Sequence, residues 1–186
     1  MNRNVTSVMQ TPVLIDFCIP HRHTYCFIGT NLSNPNDTVT MANRVAYTLD
    51  STLDSVNYVE QTAEQLAHKV GFPDEDLHKI TMSVREAAVN AVLHGNAYDP
   101  HKKITVAYET SPNTLQITIT DQGRGLKESE IPDPTAEENI LKTSGRGIFL
   151  IRSFMDEVRI RDLHPGTEIT LVKHVTPLTE TKGELK

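Results

Sequence analysis

The sequence predicts an α/β fold in which helices cover one face of a mixed, mostly antiparallel sheet, giving a two-layer sandwich. Two observations lead to this fold class. Two long central segments carry apolar residues at spacings of three and four, which is typical of amphipathic helices. Around them lie segments in which apolar and polar residues alternate, including two pairs joined by short turns, which is typical of antiparallel hairpins.

The first half of the domain predicts a strand followed by two helices. Residues 44–49 alternate enough for a strand. Residues 51–70 have apolar side chains at helical spacing, and Gly71 then ends the helix. A second helix is predicted from about Asp74 to His94, and Gly95 ends it. Two consecutive amphipathic helices need a shared surface to cover, which is the reason for placing them on one face of a sheet.

The second half predicts two hairpins on either side of a long polar stretch. Residues 104–108 and 115–120 alternate in the manner of paired strands. Residues 127–144 are polar and contain two prolines, and a segment of that length in a compact domain is usually a lid or disordered. The remaining patterns predict a short helix and a final strand pair, over residues 147–155, 158–161 and 168–173.

Composition suggests one domain with polar ends. The chain has 186 residues, and its hydrophobic fraction of 38% is slightly low for a compact domain. Residues 1–40 are rich in Pro, Asn and Thr and are predicted to form a poorly ordered extension. Residues 176–186 are polar and are predicted to form a flexible tail. The folded domain is therefore expected to span residues 41–175.

Charge and hydropathy exclude several classes of function. With 18 basic and 24 acidic residues the formal charge is −6, which argues against nucleic acid as a direct partner. No run of 18 apolar residues is present, so no membrane span is expected. The first ten residues lack the apolar core of a signal peptide, and two cysteines do not make a disulfide framework. The predicted compartment is the cytoplasm.

The second helix carries three polar residues at a spacing of four. Glu86, Asn90 and His94 would lie along one ridge of an α-helix, opposite its apolar stripe. The simplest interpretation is a solvated polar face. The functional alternative is that Glu86 accepts a proton from a nucleophile, and that the amide oxygen of Asn90 is a neutral ligand for Mg²⁺.

Two glycine-containing motifs follow, and each has a plain structural interpretation as well. Residues 121–125 (DQGRG) come directly after a strand, where two glycines let the backbone turn and approach a flat ligand closely. Residues 144–147 (SGRG) open a helix, whose free N–H groups would face an anion. Alone, the first motif is equally a strand-ending turn, and the second is weak support for a phosphate site.

The order and spacing of these motifs resemble the GHKL ATP-binding fold, and within it the bacterial anti-sigma-factor serine/threonine kinases. The resemblance rests on residues 86–95 (EAAVNAVLHG), on 121–125, and on 144–147 with the following segment 148–158 (IFLIRSFMDEV). That last segment, with Gly166-Thr167 closing the final hairpin, is the part most specific to the family. The resemblance covers about residues 44–174 and does not include the first 40. The fold that it implies is the two-layer sandwich already predicted.

The resemblance also implies a role for each motif residue. Glu86 would be the general base, Asn90 the Mg²⁺ ligand, and Asp121 the acceptor for the adenine amino group of ATP. Gly123 and Gly125 would line the adenine pocket, whereas Gly145 and Gly147 would lie under the phosphates. The remaining residues implied to contact the nucleotide are His94, Asn96, Ser144 and Arg146. Some members of the family carry an arginine at the position of Thr143, so the cation for the γ-phosphate could be Lys142 or Arg146.

The activity implied is ATP-dependent phosphorylation of Ser or Thr by a protein that is also an anti-sigma factor. Its partners would be a sigma factor and an anti-sigma-factor antagonist protein, which it would phosphorylate, and the protein would form a homodimer. An alternative is a non-catalytic ATP-binding module that switches protein partners, although such a module needs no base at Glu86. The ATP domain of a histidine kinase is disfavoured, because residues 1–40 do not predict the helix pair that carries its histidine.

One further cluster is independent of this resemblance. Cys18, His21, His23 and Cys26 place four possible zinc ligands within nine residues. Structural zinc sites usually take two ligand pairs from separated turns, so the tight spacing favours an ordinary extension over a metal site.

Overall fold

The computed structural model describes residues 24–27, 43–126 and 146–176. Within these ranges six strands form one sheet in the order β1-β2-β3-β4-β6-β5, and every neighbouring pair is antiparallel. The strands are β1 Thr24–Phe27, β2 Asn43–Asp50, β3 Lys103–Ser111, β4 Thr114–Thr120, β5 Glu157–Asp162 and β6 Thr167–His174. The helices are α1 Leu53–Val70, α2 Asp74–Val89 and α3 Arg146–Phe154, and a π-helical turn, Asn90–Gly95, follows α2.

Local sequence accounts for the helix ends. The side chain of Thr52 accepts a hydrogen bond from the backbone N–H of Ser55 (3.3 Å) and so caps the start of α1. Gly71 ends α1 in a left-handed conformation with φ of 93°. The predicted extents of both long helices and of the strands from β2 onward therefore agree with the structure to within a few residues. The exceptions are β1, which was not predicted, and the end of α2, where the π-helical turn replaces the predicted α-helix.

The alternation in β4 separates the two faces of the sheet. Leu115, Ile117 and Ile119 are buried in the core together with apolar residues of all three helices. The intervening residues of β4 are half-buried. On their side of the sheet, the Thr118 and Thr170 hydroxyls of neighbouring strands lie 3.3 Å apart. The predicted α/β sandwich, with helices on one face, is confirmed.

The described part of the N-terminal segment is an edge strand. β1 pairs with β2 from Thr24 opposite Tyr47 to Phe27 opposite Arg44. The rest of the predicted extension and the tail beyond residue 176 lie outside the described residues, so the domain limits stay predictions. Three of the four possible zinc ligands, including Cys18, also lie outside them, and that hypothesis stays untested.

Candidate functional site

The change from α2 to a π-helical turn alters the predicted polar ridge. The backbone N–H of Asn96 bonds to the carbonyl of Ala91 (2.8 Å), five residues earlier, where an α-helix would join residues four apart. Glu86 and Asn90 still follow α-helical spacing, and both are half-buried. His94 lies inside the π-helical turn and is exposed, so it is displaced from the ridge that a regular helix would give. Such turns within helices often mark functional sites.

Glu86 points at the first turn of α3. A Cβ atom added to Gly147 would lie 1.8 Å from the Glu86 Oε1 atom, so any side chain at position 147 would displace the carboxylate from where it lies. Among the described residues no group forms a hydrogen bond or ion pair with the Glu86 carboxylate. A half-buried carboxylate without a partner is available to accept a proton. The predicted solvated face is therefore only partly right, because α3 covers one side of it.

Asp121 is the buried carboxylate of the site. Its side chain is at the end of β4 and only 6% of the residue is exposed. Its Oδ1 atom accepts hydrogen bonds from the backbone N–H groups of Gly123 (2.7 Å) and Thr167 (3.2 Å). The Thr167 side chain also forms a hydrogen bond to the carboxylate. No N–H group of the described residues donates to Oδ2. Burial raises the pKa of Asp121 above its ordinary value, and the two backbone hydrogen bonds only partly offset this effect.

Three glycines form the walls around Asp121. A Cβ added to Gly95 would lie 2.5 Å from the Cγ atom of Asp121. A Cβ added to Gly166 would lie 2.2 Å from the backbone carbonyl oxygen of Asp121. A Cβ added to Gly123 would lie 2.1 Å from the carbonyl oxygen of Gly95. Any side chain at these positions would push apart the end of β4, the π-helical turn and the β5–β6 turn. The close packing explains Gly123 and adds Gly95 and Gly166 to the site.

Gly125 connects the Asp121 loop to the β5–β6 turn. It has a left-handed φ of 90°, and an added Cβ would lie 2.3 Å from the Oδ1 atom of Asp162. Asp162 also pairs with His164 in the same turn (3.1 Å). Gly125 thus allows two loops to pack, and its predicted position in an adenine pocket stays a prediction.

The other predicted residues divide into buried, exposed and undescribed groups. Asn96 is fully buried, and its side-chain amide bonds to protein groups on every side. Its predicted contact with nucleotide therefore stays a prediction. Arg146 is exposed at the start of α3. Ser144 and Gly145 lie outside the described residues, as do Lys142 and Thr143.

Comparison with known families identifies the domain. A model of the histidine kinase-like ATPase domain matches residues 49–173, which is more than half of the chain. The chain belongs to the histidine kinase-like ATPase domain family. The matched range begins in β2, ends in β6 and includes both Glu86 and Asp121.

Within this ATPase family the chain belongs with the anti-sigma-factor serine kinases. It is 34% identical over 106 residues to the anti-sigma F factor of Anoxybacillus flavithermus, covering 55% of this chain and 72% of that protein. It is 23% identical over 126 residues to the serine-protein kinase RsbW of Bacillus subtilis, covering 64% of this chain and 78% of that kinase. The predicted resemblance is therefore confirmed at the level of the family.

A solved structure supports the ATPase fold. The crystal structure of the RsbU and RsbW domains of a Mycobacterium tuberculosis protein superimposes with a TM-score of 0.52 and 22% identity. The match covers 71% of this chain and 32% of that longer chain. At this identity the likeness establishes the fold alone.

The part of the ATPase domain that the structure describes shows two further features. No described helix is long and apolar enough to cross a membrane. No cluster of three or more His, Cys, Asp or Glu side chains in the described ranges could hold a metal ion.

Proposed function

We propose that this chain is an ATP-dependent serine/threonine protein kinase and anti-sigma factor. The observation that carries the proposal is a pair of carboxylates near the π-helical turn, Glu86 and Asp121, neither of which forms an ion pair with a described residue. Asp121 is buried with one oxygen free of N–H donors, and Glu86 is half-buried without a partner among the described residues. Since unsatisfied buried acceptors are costly, such groups are usually retained to bind or to react.

Asp121 would select the adenine base. The amino group of adenine is a hydrogen-bond donor, and the Asp121 Oδ2 atom is an acceptor that no backbone N–H of the described residues satisfies. Glycine at positions 95, 123 and 166 lets backbone segments pack directly around the carboxylate and its loop. A base lacking the amino donor would leave Oδ2 unsatisfied and would bind more weakly.

Glu86 would act as the general base for transfer. Its carboxylate would take the proton of a Ser or Thr hydroxyl on the protein substrate as that oxygen bonds to the γ-phosphorus of ATP. The bond from the γ-phosphorus to the bridging oxygen then breaks, and ADP leaves with the electron pair. Phosphoryl transfer needs mainly positioning and neutralisation of charge, so one base with a helix N-terminus nearby is sufficient protein machinery.

Asn90 is suited to hold Mg²⁺ beside the phosphates. Its amide is half-buried one turn after Glu86, and no described group forms a hydrogen bond with it. A neutral amide oxygen is a ligand that Mg²⁺ accepts when phosphates and water complete its coordination. When bound, the ion would neutralise part of the phosphate charge. The N-terminus of α3, which begins at Arg146, would contribute further positive potential.

The partners are proposed from the names of the relatives. Those relatives are named anti-sigma F factor and serine-protein kinase. By analogy this chain would bind a sigma factor, and it would phosphorylate an antagonist protein that competes for it. A homodimer and a cytoplasmic location belong to the same proposal.

The test is transfer of phosphate to a partner. We expect that the chain, incubated with Mg²⁺, ATP and candidate antagonist proteins encoded beside it, adds one phosphate to the antagonist, detected by intact-mass measurement. Glu86→Gln keeps the size of the side chain but cannot take a proton. It should therefore bind ADP with unchanged affinity while the rate of transfer falls at least about 100-fold.

The outcomes separate the alternatives. Transfer by Glu86→Gln at the rate of the unaltered chain would exclude Glu86 as the base. ATP binding by the unaltered chain, with no phosphate on any partner but with release of a sigma factor, would instead favour the non-catalytic switching module.

A further inference from the structure

Asn96 is the most completely bonded polar side chain near Asp121. It is 0% exposed at the residue that follows the π-helical turn. Its Nδ2 group donates to the Ser51 hydroxyl (2.6 Å) and to the carbonyl of Lys103 (2.9 Å). Its Oδ1 atom accepts from the backbone N–H of Gln122 (2.8 Å). Both amide protons and one acceptor position of this buried side chain are thus used.

These hydrogen bonds tie together three segments that are distant in sequence. The Ser51 hydroxyl, just before α1, also donates to the carbonyl of Lys102 (3.1 Å). The Gln122 side chain accepts from the backbone N–H of Lys103 (2.8 Å). The start of β3 is therefore linked to the Asp121 loop twice, once through Asn96 and once through Gln122. Closed networks of this kind fix the relative positions of their members.

The backbone next to Asn96 needs such support. Ala97 and Tyr98 both have positive φ angles, 54° and 55°, which residues other than glycine rarely adopt. Two consecutive residues of this kind persist only where surrounding contacts hold them. The hydrogen bonds of Asn96 supply this support on one side, and the Tyr98 N–H bonded to the Val92 carbonyl (3.0 Å) supplies it on the other.

We propose that Asn96 is a positioning residue that sets the Asp121 carboxylate for recognition of adenine. It acts on both sides of that carboxylate. Through Oδ1 it holds the backbone of Gln122, the residue after Asp121. Because Gly95 is the residue before Asn96, fixing Asn96 also fixes Gly95, whose backbone lies against the carboxylate. The inference rests on the proposed function, since it assumes that Asp121 binds the adenine amino group.

The test compares two nucleotides on the full chain. We would measure dissociation constants of ADP and IDP in the presence of Mg²⁺ by titration calorimetry, because IDP carries an oxygen in place of the amino group. The unaltered chain should prefer ADP by at least about tenfold, the effect of one hydrogen bond to a charged acceptor. In Asn96→Ala this preference should fall to about twofold or less, because the freed loop no longer aims Asp121.

Two further variants separate positioning from loss of stability. Asn96→Asp keeps an oxygen that can accept from the Gln122 N–H, so it should retain more of the preference for ADP than Asn96→Ala. Asp156→Asn alters a carboxylate just before β5 that bonds to the far end of β6, and it should lower stability without changing the preference. A residue with only a structural role would change stability in all these variants and leave the ratio of the two constants the same.

Each outcome decides a different point. An unaltered chain that binds ADP and IDP equally would overturn the adenine contact of the proposed function itself. An unaltered chain that prefers ADP, with the same preference in Asn96→Ala, would overturn the positioning role alone. If Asn96→Ala does not fold, Ser51→Ala removes one partner of the amide, and an unchanged preference in that variant would overturn the proposal.

Discussion

Two aspartates, Asp121 and Asp156, bond to opposite ends of β6, and similar bonding gives them different electrostatic surroundings. Asp121 accepts the backbone N–H at the first residue of β6, Thr167 (3.2 Å). Asp156 accepts the backbone N–H at the last, His174 (2.7 Å). Asp156 also forms an ion pair with Lys173 (2.8 Å), whereas no described cation contacts Asp121. Asp156 therefore has a cation in direct contact, whereas Asp121 has only the more distant Lys102.

The pKa shifts follow from this difference. Burial acts to raise both pKa values. At Asp121 burial prevails over the hydrogen bonds from Gly123 and Thr167 and over the more distant Lys102, and the pKa is raised. At Asp156 the hydrogen bond from Lys173 and the N–H of His174 prevail over burial, and the pKa is lowered. Asp156 thus has a cation partner at the end of β6, whereas the proposed partner of Asp121 is the adenine amino group of a nucleotide.

The largest expected effect comes from exchanging each aspartate for asparagine. Asp121→Asn keeps the shape of the side chain but loses the charged acceptor, so affinity for ADP should fall about 100-fold. Its free energy of unfolding should stay the same or increase, because an uncompensated buried charge is removed. Calorimetry with ADP and urea unfolding measure the two quantities.

Asp156→Asn is the matched control for this exchange. It should leave ADP affinity within about twofold and lower the free energy of unfolding by about 1–2 kcal/mol, since Lys173 loses its partner. Equal losses of ADP affinity in both variants would contradict the division between a binding and a structural carboxylate.

The glycine walls of Asp121 provide the second test. Gly166→Ala would require alanine at a φ of 101° and would place Cβ 2.2 Å from the backbone carbonyl of Asp121. We expect the free energy of unfolding to fall by about 2–4 kcal/mol and ADP affinity to fall about tenfold, since the loop that carries the carboxylate must move.

Gly71→Ala is the control for the conformational part of that cost. Gly71 has a similar φ of 93°, but nothing lies within 4 Å of an added Cβ. This variant should lose only about 1 kcal/mol and keep its affinity for ADP. If Gly166→Ala is no more damaging than Gly71→Ala, the close approach of Gly166 to Asp121 has no consequence for the site.

The difference between the two aspartates could not be predicted from the sequence, although much of the fold could. Helix and strand limits follow from local periodicity and from stops such as Gly71, which act within a few residues. Motif spacing indicated Glu86, Asn90 and Asp121. Gly166 was part of the family resemblance, but its contact with Asp121, like the Asn96 network, depends on segments tens of residues apart. Gly95 had a local explanation as a helix end, which concealed its contact with Asp121.

The π-helical turn was missed for a related reason. The apolar pattern that favours α2 continues through Ala91 and Val92, so periodicity alone predicts a regular helix to His94. Both apolar residues are indeed buried in the structure. The residue after the turn, Asn96, bonds to Ser51, Lys103 and Gln122, and these long-range contacts are not contained in any local pattern.

The smallest expected effect, and the finest test of the comparison, is the dependence of stability on pH. The ordinary pKa of an aspartate is 3.8. The lowered pKa of Asp156 means that its stabilising contribution is present above pH 3.8 and is lost as the pH falls below that value, through the folded-state pKa. The raised pKa of Asp121 has the opposite sign: its contribution is most favourable below pH 3.8 and is lost as the pH rises through the raised value.

Urea unfolding of the full chain and the two asparagine variants, between about pH 3 and pH 6, separates these contributions. The advantage of the unaltered chain over Asp156→Asn should shrink at the acidic end of the range. Relative to Asp121→Asn, the unaltered chain should instead become less stable as the pH rises above 3.8. Parallel difference curves would mean that both carboxylates are compensated alike, and Asp121 would then lose its distinction as the carboxylate that a ligand completes.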